Sequence, residues 1–255
     1  MKNLELKVIE NNQIYENTFL LKIELHDTFA SAQPGQFIMI FTSLSFEPLL
    51  GRPMSIHRID HNKKNLSILY NVVGKGTKLL SNKIKGDAIN ILGPLGNAIP
   101  FKKESTNFLL IAGGIGIAPL IWFADTLINT DKNVVMLIGA QNKNNVFPLN
   151  EIDQQVEIEV VTDDGSLGTK GLVTEKISEY TEWAHEISLC GPEGMFQSAN
   201  TIIGNKKLTP AYALFEKEMA CGIGICYGCA IKDKNGKPNL ICTKGPSLKL
   251  NEIYG

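Results

Sequence analysis

The stretch "FLLIAGGIGIAPLIWFA", residues 108–124, decides how this chain is read. It runs for seventeen residues without a charge, close to the length that crosses a bilayer. Gly113, Gly114, Gly116 and Pro119 sit at its middle. Glycine favours tight turns, and proline is tolerated only in the first turn of a helix. The stretch therefore reads as a buried strand, a turn and a helix start, which calls for a parallel sheet and not a membrane span.

Downstream, the same alternation continues. "PLIWFADTLIN" (119–129) reads as a helix, and "VVMLIGA" (134–140) and "VEIEVVT" (156–162) as strands. "GLVTEKISEY" (171–180) looks helical, "ISLCG" (187–191) is a strand and "GMFQSANTII" (194–203) a helix. Strands alternating with helices imply crossover units and a parallel α/β sheet. Upstream the pattern is different. "LELKVIE", "FLLKIEL", "QFIMIF", "LSILYNVV" and "AINILG" are short β-rich runs beside turn signals such as "QPGQ" and "DHNKKN". That spacing suggests a small antiparallel β-barrel with one helix, residues 76–84. From about 211 the chain becomes short, Gly-rich and cysteine-bearing, with too little apolar residue to hold itself together. The expected organisation is a multidomain chain: a barrel at 1–102, an α/β domain at 103–210 and a small domain at 211–255.

Composition sets outer bounds. At 255 residues, single cores give way to several domains. The chain is 44% hydrophobic and 20% charged, with a formal net charge of −1. Lys and Arg are scattered, so there is no electrostatic footprint for nucleic acid. "MKNLELKVIENN" lacks the apolar core of a secretory signal. A soluble, cytoplasmic protein is expected, and in a reducing compartment clustered cysteines are more often metal ligands than disulfides.

Four of the five cysteines fall in the last quarter, at Cys221, Cys226, Cys229 and Cys242. Their spacing, C-x4-C-x2-C-x12-C, resembles the plant-type [2Fe–2S] pattern. Gly222, Gly224 and Gly228 let the backbone wrap closely and aim N–H groups at the sulfurs, which stabilises cluster charge. The alternatives are a zinc site, which favours two similar C-x2–4-C pairs, and a disulfide set.

Two further constellations suit phosphate-bearing ligands. In "GRPMSIHR" (51–58), Arg52 offers a rigid fork of donors for a diphosphate, and Ser55 a hydroxyl. In "LYNVVGKGTKLL", Tyr70 lies on a strand, and Gly74, Gly76 and Thr77 open a helix whose free N–H groups suit an anion. In "IAGGIGIAPL" (111–120), Gly114 and Gly116 allow close approach of a diphosphate and Pro119 starts the helix. Cys190, in "LCGPEGM" (189–195), ends a parallel strand, where ligands of open α/β sheets bind. A buried inert thiol is the alternative there. Asp163 or Asp164, after another strand, can bond a ribose hydroxyl or simply make a turn. "QNKNN" (141–145) holds only Lys143 for a 2′-phosphate, which leans toward NAD over NADP. The four histidines, His26, His57, His61 and His185, form no ligand spacing and are expected in solvated or capped positions. Trp122 and Trp183 are expected to pack on the sheet.

Taken together and in order, "PGQF", the R-P-x-S strand, the G-x-G-T helix start and the C-G-P-E stretch resemble the ferredoxin–NADP reductase superfamily. Adding "DDGSLGTKG" and "EKEMACGIGICYGC", the chain as a whole resembles the electron-transfer subunits of type B dihydroorotate dehydrogenase. That resemblance implies FAD, a [2Fe–2S] cluster and NAD as electron acceptor. It implies a partner, an FMN-containing dihydroorotate dehydrogenase catalytic subunit, in a heterotetramer of two of each, working in pyrimidine (UMP) biosynthesis. Carried onto this sequence, Arg52, Pro53, Met54, Ser55, Leu69, Tyr70, Asn71, Gly76 and Thr77 would hold FAD. Ser55 and Cys190 would stand at the reacting rings. Gly114, Gly116, Pro119 and Asp163 would hold NAD, and the four clustered cysteines iron. The rival is the small subunit of another NAD(P)H-dependent ferredoxin or sulfide oxidoreductase. Plant-type reductases end on an aromatic residue over the flavin. Here a cysteine segment follows instead, and Tyr254 is too far along to take that place.

Overall fold

A computed structural model describes residues 2–42, 47–204 and 209–255. The first seven strands are β1 (Lys2–Tyr15), β2 (Thr18–Glu24), β3 (Phe37–Phe41), β4 (Arg52–Ser55), β5 (Arg58–Asp60), β6 (Asn65–Asn71) and β7 (Ala88–Leu95), with helix α1 (Lys75–Ser81) between β6 and β7. They form one antiparallel sheet in the order β4-β3-β7-β1-β2-β6-β5. Its two edge strands, β4 and β5, are consecutive in the chain. Between them the Ile56 N–H donates to Gln36 O and the His57 N–H to Ser67 O, so the sheet closes on itself as a barrel. Strand β7 shows why it forms: Ile89, Ile91, Gly93 and Leu95 alternate inward, and Asn90, Leu92 and Pro94 between them are half-buried.

The second sheet begins with β8 (Asn107–Gly113), followed by α2 (Ile117–Ile128), β9 (Asn133–Ala140), β10 (Glu157–Thr162), β11 (Thr169–Lys170), α3 (Ile177–Tyr180), β12 (Glu186–Cys190) and α4 (Glu193–Gly204). Strands β8, β9, β10 and β12 pair in parallel. Strands β8 and β9 read as nearly unbroken apolar runs because both faces are covered, whereas β10, nearer the sheet edge, keeps Glu157 and Glu159 in its first half. Leu109, Ile111, Val135, Leu137, Ile187 and Leu189 enter one core, with α4 residues Phe196 and Ala199. Phe108, Leu110, Ala112, Val134, Met136 and Ile138 enter the other, with α2. Each fully buried Leu or Ile contributes about 1.5–3 kcal/mol. No helix among the described residues is long and apolar enough to cross a membrane.

The segment at 171–180 is less helical than its sequence suggests. It starts from β11, passes through a 3-10 turn at Val173–Lys176 and becomes α-helical only at Ile177. Val173 is packed into the space left by Gly139 of β9, where a Cβ would lie 2.8 Å from Val173 Cβ. That contact ties the segment to the strand before a regular helix can begin.

The C-terminal segment holds β13 (Ala211–Leu214), β14 (Ala230–Lys232), β15 (Pro238–Leu240), α5 (Ile241–Lys244), β16 (Ser247–Lys249) and α6 (Leu250–Ile253). Strand β13 joins β12 in parallel, and β16 adds antiparallel to β13. The second sheet therefore has the order β11-β10-β9-β8-β12-β13-β16, and the cysteine loop is an excursion between its last two strands. Asn97, just past the barrel, ties that loop to the barrel through Gly245 O, Thr243 O and Lys244 O.

Candidate functional site

In the second sheet the chain runs from β8 outward to β9 on one side and returns to β12 on the other. Ligands of open α/β sheets bind at such a reversal, beyond the carboxyl ends of the strands. A cleft of about 660 Å³ opens there. Gly113, Gly114, Ile115 and Gly116 form one wall, and Gly191, Pro192 and Met195 another. The two predicted glycines serve different needs. Gly114 has φ +55° with nothing near its missing Cβ. At Gly116 a Cβ would fall 2.1 Å from the Cys190 carbonyl oxygen, so only glycine lets the turn approach β12. Pro119 is buried in the first turn of α2 and lines neither this cleft nor the next. Asp163 lines the cleft. Asp164 makes the turn: it accepts from the Ser166 N–H at 2.9 Å, and hydrogen bonds with Ser166 hold its carboxyl below the usual range.

The barrel meets this domain along a second cleft of about 470 Å³. Pro53, Met54 and Ser55 come from β4, and Leu69, Tyr70 and Asn71 from β6. Thr77 and Cys190 also line it. Arg52 and Gly76 stand beside it in direct contact, since a Cβ on Gly76 would lie 2.1 Å from Arg52 Nε. The guanidinium thus lies against the start of α1. The Thr77 hydroxyl accepts from the Val73 and Gly74 N–H groups and donates to Gly74 O, which fixes that turn. Cys190 is 1% exposed, and burial, with the Glu216 charge, pushes its thiol pKa well up. It is a neutral S–H at the cleft wall.

Asn71, Ile115 and Glu216 line both clefts, so the two meet there. Glu216 stands open at the shared mouth, yet the surrounding walls displace water and raise its carboxyl pKa. Sequence reasoning quoted Glu216 within "EKEMAC" without giving it a place in a cleft. It also missed Tyr15 and Thr18, which the first barrel hairpin sends into the larger cleft. No motif surrounds those two residues, so only the docking of the domains places them in the cleft. Phe215, Met219 and Pro246 complete the smaller cleft on the side of the cysteine segment. Tyr254 packs behind Phe215, ring centroids 6.2 Å apart, and does not line either cleft.

The cysteine loop wraps as its glycines allow. Gly222 and Gly224 adopt φ +68° and +85°, and Tyr227 is also left-handed at +59°. The N–H groups of Ile223, Ile225 and Cys226 each lie 3.4 Å from Cys221 Sγ. Partial burial opposes the Cys221 thiolate, but these donors outweigh it and bring the thiol down to about 6. Cys229 Sγ and Cys242 Sγ are 3.3 Å apart in the core. Burial and the neighbouring Cys229 push Cys242 up to about 12. The thiols thus stand as two pairs, Cys221 with Cys226 and Cys229 with Cys242. Among the described residues no three His, Cys, Asp or Glu side chains converge on a single ion. Two pairs of sulfurs served by N–H donors suit a binuclear cluster better than one tetrahedral ion.

The expectation for histidine fails at one position. His57 is 2% exposed, pressed between the barrel and α2. Its Nδ1 lies 2.9 Å from Ala118 O, and since a carbonyl only accepts, Nδ1 carries the proton. Burial lowers its pKa from 6.5 to about 4. Next to it, Arg58 grips Asp125 of α2 at 2.6 and 3.0 Å and Glu151 O at 3.0 Å. Trp122 also differs from expectation, packing against the barrel core, whereas Trp183 packs on the sheet core.

Comparison with known proteins agrees with this geometry. A family model described as the iron-sulfur cluster binding domain of dihydroorotate dehydrogenase B matches residues 216–254, and one described as an oxidoreductase NAD-binding domain matches 110–201. The dihydroorotate dehydrogenase B (NAD(+)) electron transfer subunit of Geobacillus sp. (strain WCH70) is 35% identical over 257 residues, 99% of each chain. That of Desulforamulus reducens is 34% identical over 91% of this chain and 89% of its own. A solved NADH-dependent reduced ferredoxin-NADP oxidoreductase superposes with a TM-score of 0.86 at 27% identity, covering 97% of this chain and 89% of its own. Such identity along the whole chain, with the iron–sulfur model falling on the paired cysteines, places it in one family: the chain belongs to the electron transfer subunits of dihydroorotate dehydrogenase B (NAD+).

Proposed function

We propose that this chain takes electrons from the FMN of a dihydroorotate-oxidising catalytic subunit and delivers them to NAD⁺ in pyrimidine (UMP) biosynthesis. The partner carries the oxidation of dihydroorotate to orotate, and two copies of each subunit assemble in the cytoplasm. The functional division of the chain is 1–102 for FAD, 103–210 for NAD and 211–255 for the [2Fe–2S] cluster. One observation carries this reading: the flavin-sized cleft lies between the dinucleotide cleft, which it meets at Asn71, Ile115 and Glu216, and the cysteine segment, whose Met219 lines its wall.

Bound FAD supplies the exchange between single-electron and hydride chemistry that a cluster and a nicotinamide require of each other. The protein's part is to bind, orient and keep water out. Arg52, stacked over Gly76, holds a diphosphate with a rigid fork of donors. Pro53, Met54, Leu69 and Tyr70 give the ring system apolar walls. Ser55 presents a hydroxyl and Cys190 an un-ionised thiol, so neither brings a competing charge. Gly114 and Gly116 let the backbone approach the second diphosphate, with Pro119 fixing the start of α2 and Asp163 placed for a ribose. Cys221, Cys226, Cys229 and Cys242 hold the irons.

The test is analysis of anaerobically purified protein, followed by assay with a co-expressed FMN-containing dihydroorotate dehydrogenase. Two irons with labile sulfide, one FAD per chain and dihydroorotate-dependent NAD⁺ reduction are expected. One zinc and no flavin would overturn the reading.

A further inference from the structure

Tyr15 belongs to the barrel, yet it stands in the cleft of the other domain. The short turn through Glu16 and Asn17 brings β1 into β2 and pairs Tyr15 with Thr18. Both residues line the larger cleft beside Asn71, which is one of the three residues shared with the smaller cleft. The Tyr15 ring is packed edge-on against Phe147, centroids 6.3 Å apart and planes at 89°, which fixes it against the second domain. Phe147 is 3% exposed, so that side of the ring is anchored in the core. The polar end has different surroundings. The Thr18 hydroxyl donates to Asn71 Oδ1 at 2.7 Å, so toward the neighbouring Tyr15 hydroxyl it can only accept. The phenol proton is therefore directed to Thr18, and its lone pairs are left for the cleft. Burial raises the phenol pKa, so it is un-ionised at neutral pH.

We propose that the Tyr15 hydroxyl, held by Thr18 and Asn71, is a binding group for the nicotinamide-side half of the dinucleotide. This rests on the reading of the larger cleft as the NAD site. Asp163, Gly114 and Gly116 line the cleft, and Asn71 marks where it meets the smaller one; Tyr15 is placed near that junction by its strand partner Thr18, which bonds Asn71. A ribose hydroxyl is the ligand group that can donate to those lone pairs; a phosphate oxygen, itself only an acceptor, cannot. One consequence is that the dinucleotide bridges both domains, because the hydroxyl comes from the barrel and the diphosphate turn from the sheet.

The test uses oxidised holoprotein, which binds NAD⁺ without turnover. Tyr15→Phe keeps the ring against Phe147 and removes only the hydroxyl. By calorimetric titration, its Kd for NAD⁺ should rise roughly 3- to 10-fold, the loss of one net hydrogen bond. Its Kd for 5′-AMP, which occupies only the adenosine end, should stay within about twofold. FAD content and melting temperature should match wild type. Should Tyr15→Phe fail to retain FAD, Thr18→Val, which removes the orienting hydroxyl, should weaken NAD⁺ in the same selective way. An unchanged NAD⁺ affinity, or equal weakening of NAD⁺ and 5′-AMP, would overturn the proposal. Wild-type protein that binds neither ligand would overturn the NAD reading itself.

Discussion

His57 makes a sharp prediction about acid stability. Its ring is sealed between the barrel and α2, with the Nδ1 proton given to Ala118 O. Burial holds its pKa near 4, and the nearby Arg58 and Lys22 charges push the same way. In the unfolded chain the ring titrates at 6.5. Between those values the unfolded state takes a proton that the folded state refuses. Stability therefore falls as pH drops from 6.5 toward 4, and the ring adds no pH dependence above neutrality. The gap, at about 1.36 kcal/mol per pH unit, amounts to about 3 kcal/mol. His57→Asn keeps an amide able to donate to Ala118 O but cannot titrate. Urea unfolding of both proteins at a series of pH values from 4.5 to 7.5 gives the difference between their stabilities. Wild type should lose about 2–3 kcal/mol relative to the variant over that range. Nitrogen NMR should show a neutral ring protonated on Nδ1 down to pH 5. A flat difference curve, or a ring titrating near 6.5, would refute the buried-neutral reasoning.

Three substitutions probe the remaining architecture. Cys226→Ser should leave NADH-to-dye reduction through FAD largely intact while dihydroorotate-dependent NAD⁺ reduction by the complex falls to background; equal loss of both activities would remove the cysteines from the electron route. Gly116→Ala should cost about 3 kcal/mol or more, since its Cβ meets the backbone of Cys190 at 2.1 Å, while Gly114→Ala, strained only by its φ of +55°, should cost about 1–2 kcal/mol. Thermal melts check the order, and equal shifts would show that β12 gives way.

Much of this was legible because the informative residues act locally. Glycines and a proline inside an apolar run can only be a turn between strand and helix, and that reading gave β8, α2 and the dinucleotide cleft. The cysteine spacing and its glycines likewise carry their chemistry within one loop. What sequence could not give depends on surfaces meeting. Nothing around His57 and Arg58 in the sequence names a partner for either, and only the arrival of α2 buries His57 and pairs Arg58 with Asp125. "AYAL" and "SLK" are too short to show a period, so the strands that flank the cysteine loop were invisible until they paired. Asp163 and Asp164 are equivalent on paper, and the Ser166 turn alone separates them.

The pairing of β13 with β16 also dictates an order of events. All four cysteines emerge from the ribosome before β16, the strand that pins the far end of their loop. Once it docks, Cys229 and Cys242 are 2% and 3% exposed, while Cys226 stays at the surface. Metal delivered after that point meets Cys226 and the half-buried Cys221 first.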